Sequence, residues 1–380
     1  MRMINQPTAG PAHEPRNGLP ILGRLTPVGR AAILATLIAS AVAIILDFGL
    51  HADASVIFVV SAIAILGLAW VVGLSTERLG SLTGPQVGGV LNATFGNIAE
   101  LIIAFFALQA GLIDVVKASL TGSIIGNLLL VLGASVLIGG LRHGRQQFSA
   151  RVAGANAALL VVAVIGLFVP AVFAFTTSEP GQGTLTEESV LVAIVLITGY
   201  VLSLIYGFRN PAETLGGQGE PEGHAGPAWS GRTAVVVLLL AAGLLALLSE
   251  ILVGSIEGFI EQFDLTPFFV GVVLIPTIGN LAEHLVAVQL AAKDKMEFAM
   301  AVSYGSSLQV ALFVAPVLVL LGVLIGQPMD LVFTPLEVAA VAAAVGISAL
   351  IALDGESNWL EGALLMLVYA ILAVSFFEFV

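Results

Sequence analysis

The sequence predicts an all-α polytopic membrane protein of about eleven transmembrane helices, one leading helix followed by two inverted five-helix repeats. Three observations predict it. Of 380 residues, 58% are hydrophobic and only 10% are charged, at a mean hydropathy of +1.06, a composition that no water-soluble domain carries on its surface. About eleven apolar stretches approach the roughly 20 residues a helix needs to cross a bilayer. A motif in the third stretch returns in the eighth at an offset of 183 residues.

Residues 1–30 are polar and Pro-rich, carry Arg2, Arg16, Arg24 and Arg30, and contain no convincing cleavage site, so they read as a cytoplasmic tail. The leading helix occupies 31–53, with its span at 31–48. The first repeat, 54–208, holds spans at 54–73, 86–110, 114–139, 152–175 and 188–208. A Gly/Pro-rich stretch at 209–231, with Glu213, Glu220 and Glu222, is too polar to bury a core and reads as a cytoplasmic linker. The second repeat, 232–380, holds spans at 232–254, 266–291, 298–325, 333–353 and 359–378.

Charge tests this layout. With the amino terminus in the cytoplasm, twelve of the thirteen Lys and Arg fall on the cytoplasmic side: the four of the tail, Arg78, Arg142, Arg145, Arg151, Arg209, Arg232, Lys293 and Lys295. Only Lys117 lies outside, where the loops are acidic, with Glu179, Glu187 and Glu188 in one and Glu257, Glu261 and Asp264 in another. The bias fits the positive-inside rule and a multi-pass protein of a bacterial-type inner membrane. The lipid bilayer is the expected surrounding, and no nucleic-acid partner is expected. The absence of Cys excludes disulfides, thiolate metal sites and iron-sulfur chemistry.

Residues 88–100, GGVLNATFGNIAE, align without gaps to 271–283, GVVLIPTIGNLAE. The same offset matches Gly122 and Ser123 to Gly305 and Ser306 in the spans that follow. Five crossings separate the two copies, and an odd number places them in opposite orientations. Inverted repeats of this kind are a recurring plan of secondary transporters, with the site near the midplane where the copies meet.

Glu100 is the only ionisable residue of its span, and Glu283 has only His284 beside it. A carboxylate at that depth costs several kcal/mol unless it is protonated, paired or neutralised by a cation. No Lys or Arg lies at that depth, so a pair of carboxylates there takes either protons or a metal ion. Asn97 and Asn280 each precede their Glu by three residues and share its helix face. Gly96 and Gly279, the latter near Pro276, are expected to loosen the helices and free backbone carbonyls. Ser123, Ser306 and Gln309 add intramembrane hydroxyl and amide groups facing the same centre. Such hard oxygen ligands suit Ca²⁺, and Mn²⁺ stays open because it accepts the same groups. His284 reads as a proton relay, a soft ligand or a polar residue satisfied in the core.

These residues resemble the cation/proton exchanger branch of the calcium/cation antiporter superfamily. Its two repeat motifs stand here as GNIAEL at 96–101 and GNLAEH at 279–284, and the runs SLTGSIIGNLLLVLG at 119–133, YGSSLQVALFVAP at 304–316 and DGESNWLEGALLMLVY at 354–369 are similar to the family's later spans. The resemblance covers the chain from about residue 31 onward. It implies proton-driven calcium export by a non-enzymatic antiporter without a cofactor. Glu100 and Glu283 become the calcium carboxylates, Asn97, Asn280, Ser306 and Gln309 supporting ligands, and Ser123 the first-half counterpart. The linker is less acidic than in many relatives, and Gly126 stands at the repeat position of Gln309. A sodium-driven calcium exchanger is the nearest alternative. A zinc hydrolase would need two His one turn apart around a Glu, an arrangement absent here.

Overall fold

The computed structural model of the chain describes residues 25–84, 88, 91, 94–176, 181–210 and 229–378. Arg2, Arg16 and Arg24 of the tail, Glu179, most of 85–93, and the linker's Glu213, Glu220 and Glu222 lie outside the described residues.

The leading helix α1, Pro27–Gly49, starts four residues before the expected span. Pro27 presets the first helical φ, and the Thr26 hydroxyl accepts from the Gly29 amide. Helix α2, Ala54–Thr83, is ten residues longer than its apolar run suggested. The polar turns at its end stay helical because Ser75 and Thr76 return their hydroxyls to the carbonyls of Val71 and Val72, and Arg78 reaches the Trp229 carbonyl at 2.7 Å. Gly84, at φ +89°, ends it.

There follow α3 (Ile98–Gln109), α4 (Ile113–His143), α5 (Ala150–Thr176), α6 (Gly183–Arg209) and α7 (Gly231–Gly254). A short helix α8, Ile256–Phe263, fills the loop holding Glu257 and Glu261, because its apolar face packs inward and Phe259 stacks on Phe58 at 4.1 Å. The chain closes with α9 (Pro267–Ala291), α10 (Met296–Ile325), α11 (Pro335–Ile351) and α12 (Trp359–Phe377). Among the described residues, nine helices are long and apolar enough to cross a membrane, and α3 and α11 are shorter apolar helices. Many large apolar side chains, such as Leu239, Leu240 and Leu324, point outward, as lipid solvation requires.

α2 packs along α7, α3 packs on α7 and α9 on α2, the later half of α4 on α12 and that of α10 on α6, and α5 on α11. Lipid supplies no hydrophobic drive between helices, so close approach through small residues does this work. A β-carbon on Gly362 of α12 would stand 2.2 Å from the Leu137 nitrogen and 2.6 Å from the Gly133 carbonyl of α4.

At one face of the bundle, the two-residue strands β1 (Gln146–Gln147) and β2 (Glu356–Ser357) pair antiparallel. Gln146 donates to the Ala291 carbonyl at the end of α9 (3.0 Å) and to the Asp294 carboxylate (2.9 Å). At the opposite face, Lys117 is held by Asp330 and by the Val332 carbonyl (2.9 Å).

Candidate cation site

Four helix irregularities build the site. The third span is broken, not continuous: Gly96 and Asn97 form a turn, and α3 begins at Ile98 with Asn97 as its N-cap at φ −100°, ψ 25°. Glu100 therefore sits in the first turn of a helix that starts inside the membrane, where unpaired backbone amides favour negative charge. π-Helical turns at Gly126–Val131 in α4 and Val310–Val314 in α10 lie at matching repeat positions, just after Ser123 and Ser306. A further π-turn, Val270–Leu274, precedes Pro276 in α9.

The expectation that Gly279 loosens its helix is corrected. Helix geometry is unbroken from Ile275 to Ala291, because the irregularity falls one to two turns earlier, in the π-turn. Gly279 acts by its missing side chain instead, giving Glu100 room: a β-carbon at 279 would stand 2.7 Å from Glu100 Cγ. Gly96 does fall in the expected break.

Glu100 is buried, 7% exposed, and its Oε1 accepts hydrogen bonds from Ser123 of α4 and Asn280 of α9. Its Oε2 is buried with no hydrogen-bond partner among the described residues. Glu283 is half-buried and close enough to Glu100 for the two carboxyl groups to interact electrostatically, with Ser306 beside it. The ion pairs Lys117–Asp330 and Arg145–Glu356 both involve other carboxylates.

A second hydrogen-bonded row joins α3, α4, α9 and α10. His284 Nε2 lies 3.2 Å from Asn127 Oδ1, Asn127 Nδ2 donates to Ser306 Oγ (2.9 Å), Ser306 donates to Asn97 Oδ1 (3.0 Å), and Asn97 Nδ2 donates to Gln309 Oε1 (2.7 Å). All the expected site residues thus meet in one region: Glu100, Ser123 and Asn280 in one group, Asn97, Ser306 and Gln309 in the other. His284 meets an amide, not a carboxylate.

A cavity of about 340 Å³ is lined by Glu283, Ser306 and Gln309 and extends to Glu77 near the end of α2. Glu100 does not line it. The two halves also differ in packing: a β-carbon on Gly122 would stand 2.0 Å from the Val272 carbonyl, whereas its repeat counterpart Gly305 has nothing within 4 Å and lines the cavity. One side of the centre is closed and the other open.

Sequence reasoning missed Asn127 and Glu77. Asn127 belongs to a third intramembrane Gly-Asn pair, 126–127, but its repeat counterpart is Val310, so self-similarity passed over it. Glu77 follows the apolar run of α2 and read as loop.

A multi-pass helical bundle that encloses two carboxylates without a cationic partner among the described residues, beside a cavity reaching one of them, defines a membrane cation carrier. The chain belongs to the sodium/calcium exchanger protein family, which it matches over residues 54–209 and 233–377. It is 45% identical over 347 residues to a Ca²⁺/H⁺ antiporter of Aphanothece halophytica, covering 88% of this chain and 93% of the relative. It is 42% identical over 338 residues to the Ca²⁺/H⁺ antiporter ChaA of Bacillus subtilis, covering 86% and 93%. The solved structure of native YfkE superposes with a TM-score of 0.79 at 38% identity, covering 92% of this chain and 99% of that one.

Proposed function

We propose that the chain exchanges Ca²⁺ for H⁺ across a bacterial-type inner membrane, as a carrier and not an enzyme, with Glu100 and Glu283 taking either one Ca²⁺ or protons. The observation that carries this reading is the buried Glu100 Oε2, an acceptor with no donor among the described residues. An ionised oxygen so placed costs several kcal/mol, and a proton or a cation removes that cost. The relatives named as Ca²⁺/H⁺ antiporters support the choice of ions.

Ca²⁺ takes about six to eight oxygens. The two carboxylates, Asn97, Asn280, Ser306, Gln309 and Ser123, with a backbone carbonyl at the Gly96 break, are the oxygens we assign to it. Two carboxylates this close repel each other when both are ionised and empty, so a Ca²⁺ can leave only as protons arrive. Protons are assigned to the carboxylates alone, since His284 faces the amide of Asn127, which passes no proton onward.

We read 54–208 and 232–380 as the two inverted repeats. The pairings of α3 with α7 and α9 with α2, and of α4 with α12 and α10 with α6, exchange places when the halves are exchanged, which supports this reading. The open cavity reaches Glu77, next to Arg78, on the arginine- and lysine-rich side. By the positive-inside rule that side is cytoplasmic, so this conformation faces inward.

The test is calcium-driven proton movement in proteoliposomes, followed with a pH dye. Glu100→Gln and Glu283→Gln each abolish it while the protein stays monodisperse, and full activity in either ends the scheme. Parallel runs with Na⁺, Mn²⁺ and Mg²⁺ define the cargo, and exchange that requires Na⁺ would replace protons as the coupling ion.

A further inference from the structure

One wall of the 340 Å³ cavity is a single face of α2, where Trp70, Gly73 and Glu77 follow each other at helical spacing. From Trp70 to Glu77 this face runs about 10 Å toward the inner end of the helix. Among the described residues that line the cavity, Glu77 and Glu283 alone are ionisable, and both are acids. Arg78, the next residue, does not line it, and its guanidinium is given to the Trp229 carbonyl (2.7 Å) and the Ser81 hydroxyl (3.3 Å). An ion moving from the inner surface to Glu283 therefore passes one carboxylate on the way.

The same acid stands in the other half. Thr76-Glu77-Arg78-Leu79 near the end of α2 aligns with Ser249-Glu250-Ile251-Leu252 near the end of α7, at an offset of 173 residues. The carboxylates of the site are offset by 183, and the loop that holds α8 takes up the difference of ten. Burial follows the alignment: Ser75 and Thr76 are buried and Glu77 is exposed, just as Leu248 and Ser249 are buried and Glu250 is exposed. The counterparts of Trp70 and Gly73 are Gly243 and Ala246, and a β-carbon on either Gly73 or Gly243 would meet nothing within 4 Å. Five crossings separate α2 from α7, so the two acids come to opposite surfaces. Glu250 does not line the present cavity.

We infer that Glu77 and Glu250 are a matched pair of cation-capture residues, Glu77 drawing Ca²⁺ into the inner mouth and Glu250 into the outer mouth that opens when the halves exchange conformations. A carboxylate in a cleft with low-dielectric walls raises the local concentration of a divalent ion. Glu77 is exposed to water, so it holds the ion loosely enough to pass it on to Glu283. Each acid acts from one face of the membrane only, because the vestibule it lines is closed while the other is open. The inference rests on the Ca²⁺/H⁺ and inverted-repeat readings above.

The test is calcium uptake into membrane vesicles under an interior-acid gradient, with inverted and right-side-out vesicles presenting the inner and outer faces in turn. Glu77→Gln raises KM for Ca²⁺ in inverted vesicles by roughly threefold to tenfold, the effect of removing one unit charge about 6–10 Å from a divalent ion in water. KM in right-side-out vesicles and turnover at saturating Ca²⁺ change less than about twofold. Glu250→Gln gives the reverse pattern. Glu77→Asp, which retains the charge, keeps most of the affinity. Raising the salt from about 0.01 M to about 0.15 M shrinks the effect of Glu77→Gln, since the screening length falls to about 8 Å. Should Glu77→Gln not reach the membrane, Glu77→Ala is read in the same way. An unchanged KM, a KM raised equally at both faces, a loss confined to turnover, or an effect indifferent to salt overturns the assignment. One-sided effects on the reversed faces uphold the pair and overturn the inward-facing orientation. Absence of exchange in the wild type counts against the Ca²⁺/H⁺ reading, whereas wild-type exchange with two-sided effects counts against the mouth acids alone.

Discussion

Gly279 of α9 lies against the Glu100 side chain so closely that a β-carbon on it would stand 2.7 Å from Glu100 Cγ. Real β-carbons do not approach a neighbour that closely, so a methyl group there must push the carboxylate away from Asn280 and Ser123. Gly279→Ala is therefore expected to lower Ca²⁺ affinity by at least about tenfold, through the loss of two charge-assisted hydrogen bonds. Calcium titration of exchange in vesicles measures this, and an unchanged KM would refute the steric account.

Competition between protons and Ca²⁺ for Glu100 and Glu283 fixes the sign of the pH dependence. Binding that displaces protons grows stronger as pH rises and levels off once the carboxylates are bare. The slope of log affinity against pH is expected to approach about 2 in the wild type and about 1 in Glu100→Gln, because that chain has one carboxyl group fewer to empty. Equilibrium calcium binding over a pH series reads the slope. A flat profile in the wild type contradicts proton displacement.

Gly122 is pressed onto the Val272 carbonyl, while its repeat counterpart Gly305 stands open on the cavity. If the two halves exchange conformations, Gly305 becomes the crowded one. Gly305→Ala is accordingly expected to leave folding and calcium binding intact and to cut turnover by about tenfold or more, since the added methyl obstructs only the conformation not seen here. Binding and flux assays on the same preparation separate these effects, and normal turnover would show that the close approach does not switch sides.

The ion pair of Lys117 and Asp330 has side chains only 14% and 17% exposed, and Lys117 also serves the Val332 carbonyl. Lys117→Met strands the carboxylate and is expected to destabilise the protein by about 1–3 kcal/mol, with KM for Ca²⁺ little changed. Adding Asp330→Asn should recover most of the loss. Thermal unfolding in detergent provides the comparison, and no shift in the single variant would mark the pair as idle.

Glu100 and Glu283 were legible in the sequence because an acid without a base stands out in an apolar run. Asn97, Asn280, Ser123 and Ser306 followed from spacing and repeat matching, and Gln309 from being an amide within an apolar span. What failed to show was fixed by packing between distant segments. Gly279 looked like a hinge because glycine and proline usually loosen a helix, yet its purpose depends on Glu100 lying opposite, 179 positions earlier in the chain. Asn127 was hidden because the repeat offers valine in its place. The true end of α2 was hidden because serine, threonine and arginine resemble a loop until Trp229 and the helix's own carbonyls satisfy them.

The β1–β2 ribbon and the Gln146 bonds tie the ends of α4, α9 and α12 together at one face of the bundle. The ends of these three helices are thereby coupled across the two halves of the chain, and the half of the site on α9 is fastened to the last helix through them. The α2–α7 pair, joined side to side along its length, takes no part in that tie.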